Sequence, residues 1–367
     1  MSLTNTTDTY GGVAKTFHWL TALLILTAIP LGAVANALPY DSAEALARKA
    51  TLFSVHKTVG LAAFLVALAR ILWALVQPKP QGLAGHGRAE AALAATVHWM
   101  LYGAMLVVPL TGWIHHAATT GFAPIWWPVG QDLPFVPKDD GIAAIFAGLH
   151  LVTKWALIAA IAMHVAGAFK HHLIDRDETL RRMLPGRITA AVHSQEHGLA
   201  PLAAALILWA GAIGAGGAPG AYDRHGQVVP GVALAEVASD WAVSEGSLTI
   251  AVTQLGARVE GRFADWTADI TFDPRETPGP AGRVEVTVAI GSLTLGSVTA
   301  QALGADFFEA ATFPTATFAA DILRTEAGHV AEGTLTIRDR TVPVTLPFEL
   351  VLSGDTATMT GGLTVSR

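Results

Sequence analysis

Residues 150 to 164 read HLVTKWALIAAIAMH, an imidazole at each end of an apolar run. Imidazole binds metals and titrates near neutrality, so two in one oily segment ask for a partner. Fourteen helical residues return to within ~40° of the same face, and the two rings then stand ~21 Å apart along the axis. Both fit inside one hydrocarbon layer of ~30 Å. Ionisable groups at that depth are costly and are retained for function as a rule. The plainer alternative is two buried histidines satisfied by neighbouring carbonyls.

The elements that must hold such a pair follow from composition. The chain has 367 residues, 52% hydrophobic and 14% charged. Up to about residue 217 it is built of long Ala/Leu/Ile/Val runs; from about 222 it turns to short alternating segments rich in Thr, Val, Gly and Asp. That shift predicts two domains of different class: an all-α membrane unit and an all-β one. There are no cysteines, which excludes disulfides, thiolate-held clusters and covalent c-type haem. A net charge of −6 argues against a nucleic-acid partner. The first apolar run is too long for a cleavable signal.

Length and apolarity predict five spans, at 17–38, 54–76, 94–116, 146–170 and 199–216. Lys15, Lys79, Arg88, Lys170 and the arginines at 176, 181, 182 and 187 collect on one side. The other side has Arg48, Lys49 and Lys138 among acids. The cation-rich side, with the N-terminus, is therefore expected in the cytoplasm of a bacterial inner membrane. An odd fifth span carries the C-terminal domain into the periplasm. Cleavage after the small-residue run that ends this span stays open. The expected divisions are 1–176, 177–218 and 219–367.

Depth then supplies partners. Helix one begins with KTFHWL at the cytoplasmic face, so His18 faces His164. Helix two begins with FSVHKTVG at the outer face, so His56 faces His150. Two imidazole pairs at two depths are what two stacked b-type haems in a four-helix bundle require. Zinc would want a third or fourth ligand at the same depth. Arg70, fourteen residues after His56, lies level with the inner pair; it holds a haem propionate or snorkels to the surface. Lys57 and Lys154 stand near the outer pair, as propionate partners, as attractants for an anionic substrate, or as interfacial anchors. His98 and His116 fall at the very ends of the third span. The doublets His115–His116 and His171–His172 are expected to be solvated, His193 and His197 to lie in a linker, and His86, His225 and His329 on the surface.

The run LHLVTKWALIAAIAMHVAGAFKHHLIDRDETLRRMLP resembles the last helix and tail of the bacterial cytochrome b561 family. FHWL, VHKTVG with a later Arg, and the third-helix stretch from Ala94 to Trp113 fit as well, so the resemblance covers residues 10 to 185. It implies a four-helix di-haem membrane cytochrome with the ligands above, exchanging electrons with ubiquinone, and superoxide oxidation as one activity of the family.

From residue 222 onward, alternation in RVEVTVAI and GTLTIRDRTVPVTLPFELVL, with weaker repeats between, predicts about eight antiparallel strands and a short helix near 299–310. That suggests a closed up-and-down barrel, filled by its own side chains or holding one elongated ligand as lipocalins do. The blocks GARVEGRFADWTADITFDP, ADFFEAATFPTATF and GTLTIRDRTVPVTLPFEL are similar to the YceI family, whose lipocalin-like barrel binds polyisoprenoid chains, including the ubiquinone tail. Two positions depart from that family: VTAQAL stands where an Arg-Asp pair is usual, and Gln254 where a His is.

The sequence therefore predicts a membrane di-haem b cytochrome joined to a periplasmic barrel, and the two resemblances imply an isoprenoid ligand for the barrel, superoxide as electron donor and ubiquinone as acceptor. A quinol-oxidising cytochrome serving another redox partner, and a membrane-anchored lipid-binding module without catalysis, are the alternatives.

Overall fold

The computed structural model describes residues 2–39, 42–83, 87–119, 121, 123–128, 130–186, 192–193, 198–217, 232–235, 237–254 and 257–365. The chain falls into two compact units divided near residue 225.

The first unit holds five helices long and apolar enough to cross a membrane. They are α1 Gly12–Ala37, α2 Ala43–Leu75, α3 Arg88–Ala118, α4 Asp140–Lys170 and α5 Ala200–Gly217. Helices α2 and α3 begin well before the apolar stretches that hydropathy marks. In α2 the reason is local: the Ser42 hydroxyl accepts from the Ala45 amide at 3.1 Å, and AEALARKA is built of helix formers. Asp139 caps α4 in the same way, accepting from the Ile142 amide at 2.8 Å. Helix α4 runs on into a π turn, His171–Asp175, closed by Arg176 in the left-handed region.

Helices α1 and α2 pack as one pair, and α3 and α4 as another. Helix α5 lies against both α3 and α4. Its Trp209 ring fills the space that the missing side chain of Gly103 leaves on α3, where a Cβ would meet the indole Nε1 at 2.9 Å. Around it gather Met100, Leu101, Ala156, Ala160 and Ala205 in one cluster, and Ala104, Val108, Leu157 and Ile161 in the next. The fifth helix is thus part of the packed bundle.

At the end where α1 starts, three distant segments are tied together by one side chain. Arg182, 8% exposed, donates to the carbonyls of Asp8 and Gln81 and lies over the Tyr10 ring at 5.5 Å. Lys15 donates to the carbonyls of Leu184 and Gly186, and the Trp19 indole to that of Met183. Strands β1 Gly82–Leu83 and β2 Val192–His193 form a two-stranded ladder.

The second unit carries β3 Leu248–Gln254, β4 Ala257–Phe263, β5 Trp266–Phe272, β6 Gly279–Ala289, β7 Leu293–Thr294, β8 Thr315–Thr325, β9 Gly328–Ile337, β10 Arg340–Ser353 and β11 Thr356–Gly361. Its one α-helix among the described residues, α6, spans Thr299–Ala302, shorter than the stretch near 299–310 that the sequence suggested. The strands form an antiparallel half-barrel: a six-stranded sheet in the order β11-β10-β9-β8-β6-β5 and a separate three-stranded sheet β3-β4-β7. The closed ring expected from the alternation is replaced, among the described residues, by two sheets. Alternation specifies which face is buried and says nothing about which edges pair.

The faces separate cleanly. Registered ladders such as Val284–Ala320–Gly333–Val344 and Val286–Phe318–Leu335–Val342 make one apolar face. Asp269, Arg283, Glu285, Asp321 and Glu332 stand exposed on the other. At one end the apolar face enters a core of Val259, Ile290, Leu293, Leu295, Leu303 and Ala316.

Candidate metal centre

The bundle brings four of the sequence-derived residues together as two pairs. The rings of His18 on α1 and His164 on α4 have centroids 6.1 Å apart, with planes at 56°. Those of His56 on α2 and His150 on α4 are 6.3 Å apart, with planes at 82°. Two collinear metal–imidazole bonds of ~2 Å each, plus half the width of each ring, put the centroids roughly 6 Å apart. Both gaps therefore suit one metal ion gripped axially from either side.

The second pair is also fixed in tautomer. His56 Nδ1 lies 2.9 Å from the Ala28 carbonyl, and His150 Nδ1 lies 2.9 Å from the Val108 carbonyl. A carbonyl only accepts, so each Nδ1 carries the hydrogen and each Nε2 keeps its lone pair for a metal. The acceptors are placed alike. Each carbonyl belongs to the residue four before a glycine, with a proline between: Ala28, Pro30 and Gly32 on α1; Val108, Pro109 and Gly112 on α3. The glycines make the room. A Cβ at Gly32 would stand 2.8 Å from His56 Cε1, and one at Gly112 would stand 3.0 Å from His150 Nδ1. His18 Nδ1, by contrast, is buried with no hydrogen-bond partner among the described residues. An axially held haem fits this donor set: neutral imidazoles in opposed pairs, with no thiolate in the chain.

His98 also touches this region. Its ring meets His164 edge to face at 5.1 Å, and its Nδ1 bonds to the Ala94 carbonyl one turn back. Rings in direct contact leave no space for an ion between them. Arg70 lies with its guanidinium 5.7 Å over the Tyr102 ring. Together with Asn5, Tyr10, Trp73 and Met183 it lines a cavity of about 70 Å³. Trp73 Nε1 is buried there without a partner among the described residues. Burial holds the Tyr10 hydroxyl above its usual range, with the Arg182 charge opposing.

At the opposite end, Lys57 donates to the Ala123 carbonyl and Lys154 lies 5.3 Å over the Trp155 ring. Both charges act on His56. Lys49 is spent on backbone, donating to the carbonyls of Asn36 and Leu38.

Two of the histidines expected to be solvated are packed instead. His115 Nδ1 bonds to the Ala143 carbonyl at 2.9 Å, with the His116 ring 4.6 Å away. His171 is 8% exposed, with Nδ1 at 2.9 Å from both the Asp175 and Asp177 carboxylates. The continuation of α4 as a π turn folds those acids back on it. Lys170 meanwhile bonds to Asp175 and to Glu90 at the start of α3. His86, His197 and His225, the side chain of His193, and that of Gln254 lie outside what the structure describes. The glycine–carbonyl cradles and the Trp209 contact are the features sequence reasoning missed. Recurrence of a proline-containing stretch ending in glycine, AIPLG and VPLTG, was the available signal.

Both parts of the chain resemble known proteins. Residues 9–186 match the family described as Prokaryotic cytochrome b561, and residues 240–367 match the YceI-like domain. The chain is 32% identical over 185 residues to Cytochrome b561 homolog 2 of Escherichia coli (strain K12), covering 50% of this chain and 95% of that protein. It is 25% identical over 169 residues to the Probable superoxide oxidase CybB of Yersinia pestis, covering 46% and 91%. Among solved structures it is similar to Burkholderia cenocepacia BcnA, with 30% identity, a TM-score of 0.28, and 31% of this chain and 72% of that chain covered. It is also similar to the Campylobacter jejuni YCEI protein, with 26% identity, a TM-score of 0.23, and coverage of 32% and 69%. With nearly the whole of a 32%-identical relative covered, the chain belongs to the prokaryotic cytochrome b561 family and carries a YceI-like domain after it.

Proposed function

We propose that the chain is a di-haem b-type cytochrome of a bacterial inner membrane, with His18–His164 and His56–His150 as axial pairs, that passes electrons from superoxide to ubiquinone. Its YceI-like domain holds the isoprenoid quinone or a similar lipid. The observation that carries the reading is the pair of ring separations, 6.1 and 6.3 Å, at two levels of one bundle. Family membership implies haem b. Bound haem supplies one-electron chemistry.

The protein's own part is positional. The carbonyls of Ala28 and Val108 hold two imidazoles as Nδ1–H tautomers, aimed by the glycines beneath them. The two imidazoles of each pair would hold a haem from both sides, and the chemistry it would then supply is outer-sphere electron transfer. Arg70, level with the His18–His164 pair and without a carboxylate partner among the described residues, suits a propionate. Lys57 and Lys154 supply positive charge near the other pair, where an anion such as superoxide would be drawn in. The name of the Yersinia pestis relative supports that donor. The cations gathered at the α1 end support a cytoplasmic N-terminus, which puts His56, His150 and the β domain toward the periplasm.

The test is the visible spectrum and haem count of the purified protein, with His56→Ala and His164→Ala beside it. Two haems in the intact protein and one in each variant are expected; no haem in the intact protein ends the scheme. Mixing oxidised protein with superoxide, and separately with quinol, assigns the direction of flow: haem reduction by quinol alone would replace the superoxide reading with quinol oxidation.

A further inference from the structure

The hollow of about 70 Å³ beside Arg70 is walled by Asn5, Tyr10, Ala14, Trp73 and Tyr102 as well. It forms where the amino-terminal segment crosses the start of α1 and the end of α2. Ala14 stands one helical turn before His18, so the hollow begins ~6 Å along the axis from the level of that ring. The Arg70 charge acts on both rings of the His18–His164 pair.

The wall is rich in hydrogen-bond donors and poor in acceptors. Trp73 Nε1, which can only donate, is buried without a partner among the described residues. Arg70 is half-buried over the Tyr102 ring and pairs with no carboxylate among the described residues. Burial holds the Tyr10 phenol above its usual range, so its hydroxyl keeps its hydrogen at neutral pH. The charged side chains acting on that hydroxyl, Arg182 and Arg70, are both cations. Asn5 is turned to backbone: its Oδ1 accepts from the Gly11 amide at 2.9 Å and its Nδ2 donates to the Pro78 carbonyl at 3.2 Å.

Buried donors without acceptors, in a positive field, are costly to leave unmatched. They call for a small anion with two acceptor atoms. Size narrows the choice: about 70 Å³ is far below the ~300 Å³ at which pockets for whole small molecules begin. A carboxyl group fits that space and a substituted quinone ring does not. No Asp or Glu among the described residues lines the hollow, so the chain does not supply the carboxylate itself.

We propose that the hollow receives a carboxylate of the haem held by His18 and His164, anchored by the Trp73 indole N–H and the Tyr10 hydroxyl together with Arg70. The assignment rests on the di-haem reading and makes the segment before the first membrane-spanning helix a wall of the cofactor site. That wall is fastened on both sides of Tyr10. The Asn5 amide donates to Gln77 Oε1 at 3.1 Å, and Arg182 donates to the Asp8 carbonyl at 2.9 Å.

Purified full-length protein is mixed with excess apomyoglobin, which captures haem as it dissociates. The loss is assigned to one level by the spectrum of His164→Ala. Trp73→Phe and Tyr10→Phe, both close in shape to the native residues, should each release the inner haem about ten-fold faster. The outer haem should leave at the wild-type rate, and the resonance Raman band of propionate bending should shift in both variants. The protein is then stripped and reloaded with haem dimethyl ester, which has no free carboxylate. Wild type and variants should release the ester alike. Equal acceleration for haem and ester overturns the assignment, because the two side chains would then only shape the bundle. Release of haem at the wild-type rate with an unmoved propionate band also overturns it, leaving the hollow to water. Wild-type protein without haem would instead remove the di-haem reading itself.

Discussion

Gly112 lies beneath the ring of His150: a Cβ built on it would stand 3.0 Å from Nδ1, the atom that donates to the Val108 carbonyl four residues earlier. Gly32 stands in the same relation to His56 and Ala28. Gly112→Ala and Gly32→Ala should each tilt one ring and weaken haem retention at that level by about ten-fold or more. The His18–His164 level should keep its haem. Gly211→Ala, where nothing lies within 4 Å, is the control. Haem content after gel filtration, with the low-spin spectrum, decides it; full occupancy in both cradle variants would show that the rings have slack.

Lys57→Gln and Lys154→Gln should slow the reaction with superoxide several-fold and flatten its dependence on ionic strength, because steering by fixed charge is screened by salt. Stopped-flow mixing at low and high salt reads both. Unchanged rates and slopes would leave the two lysines as anchors for the Ala123 carbonyl and the Trp155 ring.

Trp209 offers two substitutions with different outcomes. Trp209→Ala empties the space against Gly103 and should cost about 3–5 kcal/mol. Trp209→Phe keeps most of the ring and loses an Nε1–H that has no partner among the described residues, so it should cost far less. Thermal unfolding in detergent compares them. Equal losses would mean that the indole nitrogen is bonded after all.

His329 gives the β domain a pH dependence of known sign. Its pKa is lowered in the folded state, so the unfolded chain binds the proton more tightly. The stability is complete above the ordinary histidine pKa of ~6.5 and declines as pH falls through and below it. Lowering the pH from neutral should bring down the melting temperature of this domain, and His329→Phe should reduce the slope. A domain that melts independently of pH in that window would contradict the burial of this ring.

Spacing and span order were enough to put His18 level with His164 and His56 level with His150, because a helix advances by a fixed rise. The same arithmetic is blind to lateral packing. His115 and His171 sit near helix ends, yet α4 covers one through the Ala143 carbonyl and the π turn folds two acids onto the other. Backbone acceptors such as Ala28 and Val108 are not written in side-chain chemistry at all; only the glycine four residues on betrays them. In the β domain, alternation marked Val284, Val286 and Val288 as one face, while the separation of β3-β4-β7 from the larger sheet depended on edge pairing that no residue pattern encodes.

Arg182 joins residues that leave the ribosome far apart in time. Its guanidinium bonds to the Asp8 carbonyl across 174 positions. At about 5–20 residues per second, the amino-terminal segment waits on the order of 10 to 35 s for the side chain that fastens it. Until then the segment before α1 is tied to the stretch after α2, through Asn5 to Gln77 and Pro78 and through Thr7 to Gln81, but not to the tail that follows α4. The first 186 residues therefore close as a loop late in synthesis, just before α5 emerges to cover the groove between α3 and α4, and a chain stalled ahead of Arg182 would present an open bundle to whatever delivers its cofactor.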